Sequence, residues 1–401
     1  SNTAGAGGIL AGDLGVEDSV FEGNSAAGAA IMISRTGAIS NSAFTQNCAD
    51  PAVFCSGSAV YALASVGARP VTVYSSTFSR NGAFGGGVYG GAIHSDASQL
   101  SIRASRFTGN KAEEGGAIFA NGLSVSDSEF TLNGARDVSF SSGGAAQASR
   151  MDITRTTFYS NGADFVGGAL APAISLNVVD ARFVGNTADA VFDSGGGGAI
   201  GVASGGPVDV AVTRGVFENN KVLNAAGGGG GAIFYAAFGK FTVSDSAFTG
   251  NQAAGGGAVE CFRVCEIHSS SFDGNRAVKP NNFTLANDGE GGAIKAGAAI
   301  TVTRSRFVRN EAGASGGAIS SRGVNLPLGP FRVENSLFAE NRATNPFVGS
   351  VGHSVYVSGS LPASTFFFNT VVSDGLVSGA ALAILSGTFS VQDNIFCNHG
   401  V

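Results

Sequence analysis

The sequence predicts an all-β chain wound as a right-handed single-stranded parallel β-helix, a solenoid of about 13–14 coils with three short strands per coil. Three observations carry this. A Phe is followed three residues later by an Asn thirteen times, Gly-Gly-Ala recurs nine times, and 62 Gly occur among 401 residues with no Gly-X-Y period. The absence of that period excludes collagen, and 44% apolar residues in regular patterning exclude disorder.

The Phe/Asn pairs are Phe21/Asn24, Phe44/Asn47, Phe78/Asn81, Phe107/Asn110, Phe130/Asn133, Phe158/Asn161, Phe183/Asn186, Phe217/Asn220, Phe248/Asn251, Phe272/Asn275, Phe307/Asn310, Phe338/Asn341 and Phe366/Asn369, with a degenerate copy at Phe396. Successive Phe residues lie 23 to 35 positions apart, the range in which self-similarity signals stacked coils. Each element of the coil follows from spacing. Apolar residues seven and five positions before the Phe, as in Leu100/Ile102 or Ile300/Val302, share one face of a strand. A Ser two before the Phe makes a second strand with it, and the step of three from the apolar pair to the Ser marks a bend. Gly-Gly-Ala-Ile supplies the expected third strand, its small residues permitting close backbone approach. One such unit cannot bury its apolar side alone, so consecutive coils must stack, with Phe on Phe, Ser on Ser and Asn on Asn, over about 60 Å. Stacked Asn amides can donate and accept along a column, and the Phe column forms a long narrow interior.

No domain boundary is visible, and a single continuous helix over 1–401 is expected. The chain starts at Ser1 without Met and neither end carries an amphipathic cap, so it reads as a segment of a longer protein. The longer insertions, 48–57, 134–142, 187–196, 221–229, 276–290 and 342–351, map to one corner and 203–208 with 321–330 to another, where a row of loops suits partner binding.

Charged residues make up 13% and the net charge is −6, with no basic stripe, so nucleic acid is not an expected partner. No apolar run is long enough for a membrane span. Five Cys point to an oxidising, extracellular compartment. Cys48 with Cys55, and Cys261 with Cys265, are close enough to form local disulfides, and Cys397 is left over. Metal binding by the second pair is the rival reading, but none of the four His adjoins it, so neither metal nor cofactor is expected. Asn282-Phe283-Thr284 in the longest loop is a glycosylation sequon.

The combination of Phe-x-x-Asn with Gly-Gly-Ala-(Ile/Leu/Val) resembles the twin repeat signature of the chlamydial polymorphic outer membrane proteins, over residues 7 to 398. The resemblance implies surface-displayed β-helical adhesins. It leads to an expected extracellular or cell-surface structural and adhesive rod, a component of a surface or filament assembly. Its partners would be other protein subunits, glycans or cell-surface receptors. No catalytic residue transfers.

The alternative is a carbohydrate-active enzyme, a polysaccharide lyase or epimerase on a pectate-lyase-like β-helix, which needs converging carboxylates on one outward face. The positions after Gly-Gly-Ala-Ile read His94, Phe119, Gly201, Phe234, Glu260, Lys295 and Ser320. They offer no carboxylate cluster. Glu260 and Lys295, on neighbouring coils, are expected to form a surface ion pair worth roughly 0–1 kcal/mol.

Overall fold

The structure is a computed structural model that describes residues 8–24, 29–48, 59–63, 70–84, 88–97, 99–136, 141–189, 196–223, 228–278, 289–322, 329–344, 352–359, 362–373, 380–385 and 388–397. The chain divides into two compact units, Ser1–Asp189 and Ala190–Val401. Each is a right-handed parallel β-helix whose described residues form strands in three parallel sheets and no helix.

In the first unit the Phe strands pair in register, Phe21 on Phe44, Phe78, Phe107, Phe130, Phe158 and Phe183 in turn. Their rings lie nearly parallel, with centroids 4.7 Å apart and planes 4° apart for Phe107 and Phe130. In the second unit Phe217, Phe248, Phe272, Phe307 and Phe338 stack in the same way. The parallel ladder sets the spacing of about 4.8 Å between windings, and a ring in each winding fills that spacing on the inside.

The assignment of the three strands differs from expectation. The Gly-Gly-Ala-Ile segment does not build a sheet of its own; it joins the leading apolar pair in one sheet. Where no insertion separates them the two are a single strand, as in Ile118–Ser126 and Ala146–Thr154. Elsewhere they are split, as in Val259–Cys261 and Cys265–His268. The third sheet comes from the two residues after the Asn, for example Lys111–Ala112 on Gly134–Ala135 and Gly162–Ala163. The Ala points inward and is buried. The Ala recurs two residues after the Asn in eleven of the thirteen copies, but a single apolar position gives no alternation from which to read a strand.

Corners are held by left-handed residues on both sides of the Phe strand. Asp18, Asn41, Asp127 and Asp245, just before the Ser position, have φ of 48°, 47°, 52° and 51°. Gln46, Arg80 and Gly109, two after the Phe, have φ of 53°, 53° and 64°. Short polar side chains and Gly tolerate this region best. At the Gly-Gly corner the requirement is absolute, because Gly115 sits at φ 59° and a Cβ on Gly116 would collide with the Gly144 carbonyl oxygen.

The copy at Phe366/Asn369 is a correction. Phe366 lies in the leading strand Ser364–Phe367 opposite Val333, and Val371 takes the Phe position opposite Phe338. Asn369 stands in the Ser column, where its Oδ1 accepts the Ser336 N–H at 3.0 Å. A step of three occurs twice in every coil, from the second apolar residue to the Ser and from the Phe to the Asn. The motif alone cannot tell one from the other. Phe396 does occupy the Phe position, opposite Val371.

Candidate functional site

The repeated residues face inward and are occupied with one another. Asn110 shows the pattern: its Nδ2 donates to Asn133 Oδ1 at 2.9 Å and to the Phe78 carbonyl at 3.0 Å. Its Oδ1 accepts both the Nδ2 and the backbone N–H of Asn81. Every donor and acceptor of the amide is used, which is what allows it to be wholly buried. The same bonds run from Asn24 through Asn47, Asn81, Asn110, Asn133 and Asn161 to Asn186, and in the second unit from Asn220 through Asn251, Asn275 and Asn310 to Asn341. Ser side chains bridge windings likewise: Ser105 Oγ accepts the Ser76 N–H at 3.2 Å and donates to the Arg103 carbonyl at 2.9 Å. Nothing in these columns is open to a ligand.

Cys261 and Cys265, both buried, are joined in a disulfide that closes the corner between the two halves of the leading sheet, with Cα atoms 6.6 Å apart. Cys48 is buried, and its expected partner Cys55 lies outside the described residues. Asn282 and most of the long insertions lie outside them as well. Cys397 is free and exposed.

Chemistry collects instead on the outward column that follows each Gly-Gly-Ala-Ile. In the first unit Tyr61, His94 and Phe119 succeed one another on adjacent windings. Tyr61 and His94 have ring centroids 4.7 Å apart, and Tyr89 packs on both His94 and Phe119. Asp96 binds the pair: Tyr61 Oη donates to its Oδ2 at 2.8 Å, and His94 Nε2 lies 3.1 Å from its Oδ1. Burial pushes the Tyr61 phenol up to about 12, reinforced by Asp96. Burial lowers the His94 pKa, against the pull of Asp96. His94 Nδ1 is buried without a partner, so the neutral ring with Nε2–H facing the carboxylate is the favoured form.

In the second unit the same column carries Phe234, Glu260, Lys295, Ser320 and Tyr356. The expected surface ion pair is corrected here. Lys295 Nζ meets Glu260 Oε1 at 2.8 Å, but Glu260 is only 1% exposed and Lys295 15%. The Gly229 N–H donates to the other Glu260 oxygen, and a Cβ on Gly255 would collide with that oxygen, so the glycine corner covers the carboxylate. Glu290, fully buried, pairs with Arg322 and accepts from Ser320 Oγ at 3.4 Å. Burial raises the Glu290 pKa, opposed by the Arg322 and Lys295 charges. The Arg322 guanidinium lies over the Tyr356 ring at 5.3 Å.

Two carboxylates and two cations thus face one another, the carboxylates covered and the Arg322 side chain 30% exposed. Glu290, Arg322, Asp96 and Tyr61 were not singled out in the sequence. Asp96 could have been found two positions beyond the column, just past the strand Ile93–Ser95; Glu290 closes the longest insertion directly before Gly291-Gly292-Ala293, the register that Tyr89 and Glu114 hold before their own Gly-Gly-Ala. Among the described residues no group of three or more His, Cys, Asp or Glu is placed to hold a metal ion, and no helix is long and apolar enough to cross a membrane.

Fold and columns define a class, a right-handed parallel β-helix built on stacked Phe/Asn and Gly-Gly-Ala repeats. Within it, residues 104–121 match the Chlamydia polymorphic membrane protein (Chlamydia_PMP) repeat. That stretch holds Phe107, Asn110 and Gly115 to Ile118, the residues that make the Phe strand, the amide ladder and the glycine corner. No curated protein and no solved structure matches the chain.

Proposed function

We propose that the chain is a cell-surface β-helix that acts outside the cell as a structural and adhesive element, without catalysis. Its contacts would be with other protein subunits in a surface or filament assembly, and with glycans or cell-surface receptors. The carrying observation is the matched repeat at 104–121, named for a membrane protein, whose own residues are consumed by coil-to-coil stacking. Binding is then left to outward residues that vary from winding to winding, as in surface repeats that display many contacts on one scaffold.

The enzyme reading finds its best support in Glu260 and Glu290, which share Lys295 as a neighbour. Both carboxylates are covered and face protein cations, so a sugar oxygen would have to displace that cover to come within hydrogen-bond reach. Beads coated with the protein should attach to cultured cells, and electron microscopy should reveal ordered self-assembly if subunits associate. Steady release of unsaturated or epimerised products from uronate polymers by the purified protein would reject the non-catalytic reading.

A further inference from the structure

We propose that an open corner pocket of the first unit, bounded by Gln46, Arg80, Gly82, Phe84, Gly109 and Lys111, binds an acidic saccharide. The inference deepens the adhesive reading and rests on it for the setting in which such a ligand is met. The cavity measures about 360 Å³, room for a sugar ring or two and within the usual range of small-molecule sites.

Its charge is the first argument. In this unit Arg35, Arg103, Arg106, Arg136 and Arg155 each face a carboxylate. Arg80 and Lys111, exposed on neighbouring windings, have no carboxylate partner among the described residues. Two unneutralised cations at one pocket, in a chain of net charge −6, form a local anion site.

Its shape is the second. Gly82 is buried, with its Cβ direction closed by the Lys111 carbonyl oxygen, and the Arg80 stem lies over Gly109, Cγ 3.5 Å from where a Cβ would stand, so a ring in the cavity would lie against the Arg80 stem. Phe84 supplies an apolar wall, held by Lys111 Nζ at 5.3 Å and the Arg136 guanidinium at 5.5 Å from its ring centre. The Gln46 amide can both donate to and accept from hydroxyls. An extended peptide fits less well, because the backbone N–H groups there are already bonded between windings, Gly82 to the Asn47 carbonyl and Lys111 to that of Asn81. Cation pair, amide, aromatic wall and cavity volume together match a pyranose bearing a carboxylate or sulfate.

The test is calorimetric titration of the whole chain with a heparin-derived tetrasaccharide, alongside neutral maltotetraose, hexaglutamate and inorganic sulfate. The variants come from the chain's own columns: Arg80→Gly, since Gly109 holds the equivalent corner, and Lys111→Gln, since Gln252 holds the equivalent strand position. Lys221→Gln, in that column but outside the pocket, is the control. The tetrasaccharide should bind, and the double variant should weaken it by about tenfold or more while the control leaves it unchanged. No binding, equal affinity for maltotetraose, hexaglutamate or sulfate, or an equal loss in the control would overturn the proposal. Tetrasaccharide binding by a protein whose coated beads fail to attach to cells would sink the adhesive reading and leave the pocket standing. Attachment that survives the double variant with saccharide binding abolished would support the pocket as the saccharide site and show that adhesion runs through other contacts.

Discussion

The outward column after Gly-Gly-Ala-Ile carries an aromatic cluster in the first unit and an ionic one in the second, although the interior beneath it is the same in both. Tyr61, His94 and Phe119 satisfy burial through ring contacts and one shared carboxylate, Asp96. Glu260, Lys295, Glu290 and Arg322 satisfy it through mutual neutralisation. Interior residues must stack like on like, so each winding repeats the last. Outward residues need only be covered or solvated, so their chemistry can change from winding to winding. Variation on this fold is therefore a surface property, and function should be sought there.

The largest effect should come from the shared interior. Phe130 lies between Phe107 and Phe158, and Phe248 between Phe217 and Phe272, all with centroid spacings of 4.6 to 5.1 Å. Phe130→Ala and Phe248→Ala should each cost about 3–5 kcal/mol, by nearly equal amounts in chemical denaturation. A large inequality would break the claim that the two interiors are equivalent. Next comes the ionic cluster. Lys295→Met leaves the covered Glu260 carboxylate with the Gly229 N–H as its remaining partner, and should cost about 3 kcal/mol. Adding Glu260→Gln should restore most of that loss. If the double variant is no better than the single, the pair is not the source of the effect.

The aromatic cluster should respond less. Tyr61→Phe removes the 2.8 Å bond to Asp96, but the Asp96 side chain is 37% exposed and water can replace the donor, so about 1 kcal/mol is expected. Hydrogen exchange at Ile93–Ser95 would register it locally.

How much of this was legible in the sequence follows from the same division. The Phe, Ser and Asn columns were readable because stacking forces repetition, and Phe107, Asn110 and Ser105 lie where their spacing puts them. The last copy was misread because Phe366 and Asn369 reproduce an interval of three that the coil uses twice. The third sheet was missed because one buried Ala, such as Ala112, gives no alternation. The outward clusters were only half visible. His94, Glu260 and Lys295 follow the Gly-Gly-Ala-(Ile/Val) segments, but their burial depends on what covers them, Tyr89 in one case and the Gly228–Gly229 corner in the other. Chain spacing does not encode that cover.

The finest discrimination between the two clusters is the sign of their pH response. His94 has a folded pKa lowered from its ordinary 6.5 by burial. Its contribution is present above 6.5 and is lost as pH falls from there through the folded value, because the unfolded chain then binds the proton more readily. Glu290 has a folded pKa raised above its ordinary 4.5, again by burial. Its contribution is complete below 4.5 and is lost as pH rises through the folded value, because the folded form there holds the proton longer. Between pH 6.5 and 4.5, acidification should therefore lower protection at Ile93–Ser95 and raise it at Ile294–Ala296, after correction for intrinsic exchange rates. His94→Asn should flatten the first trend and Glu290→Gln the second, each leaving the other intact. Trends of the same sign at both places would mean that burial does not govern the two clusters separately, and the contrast between them would lose its physical basis.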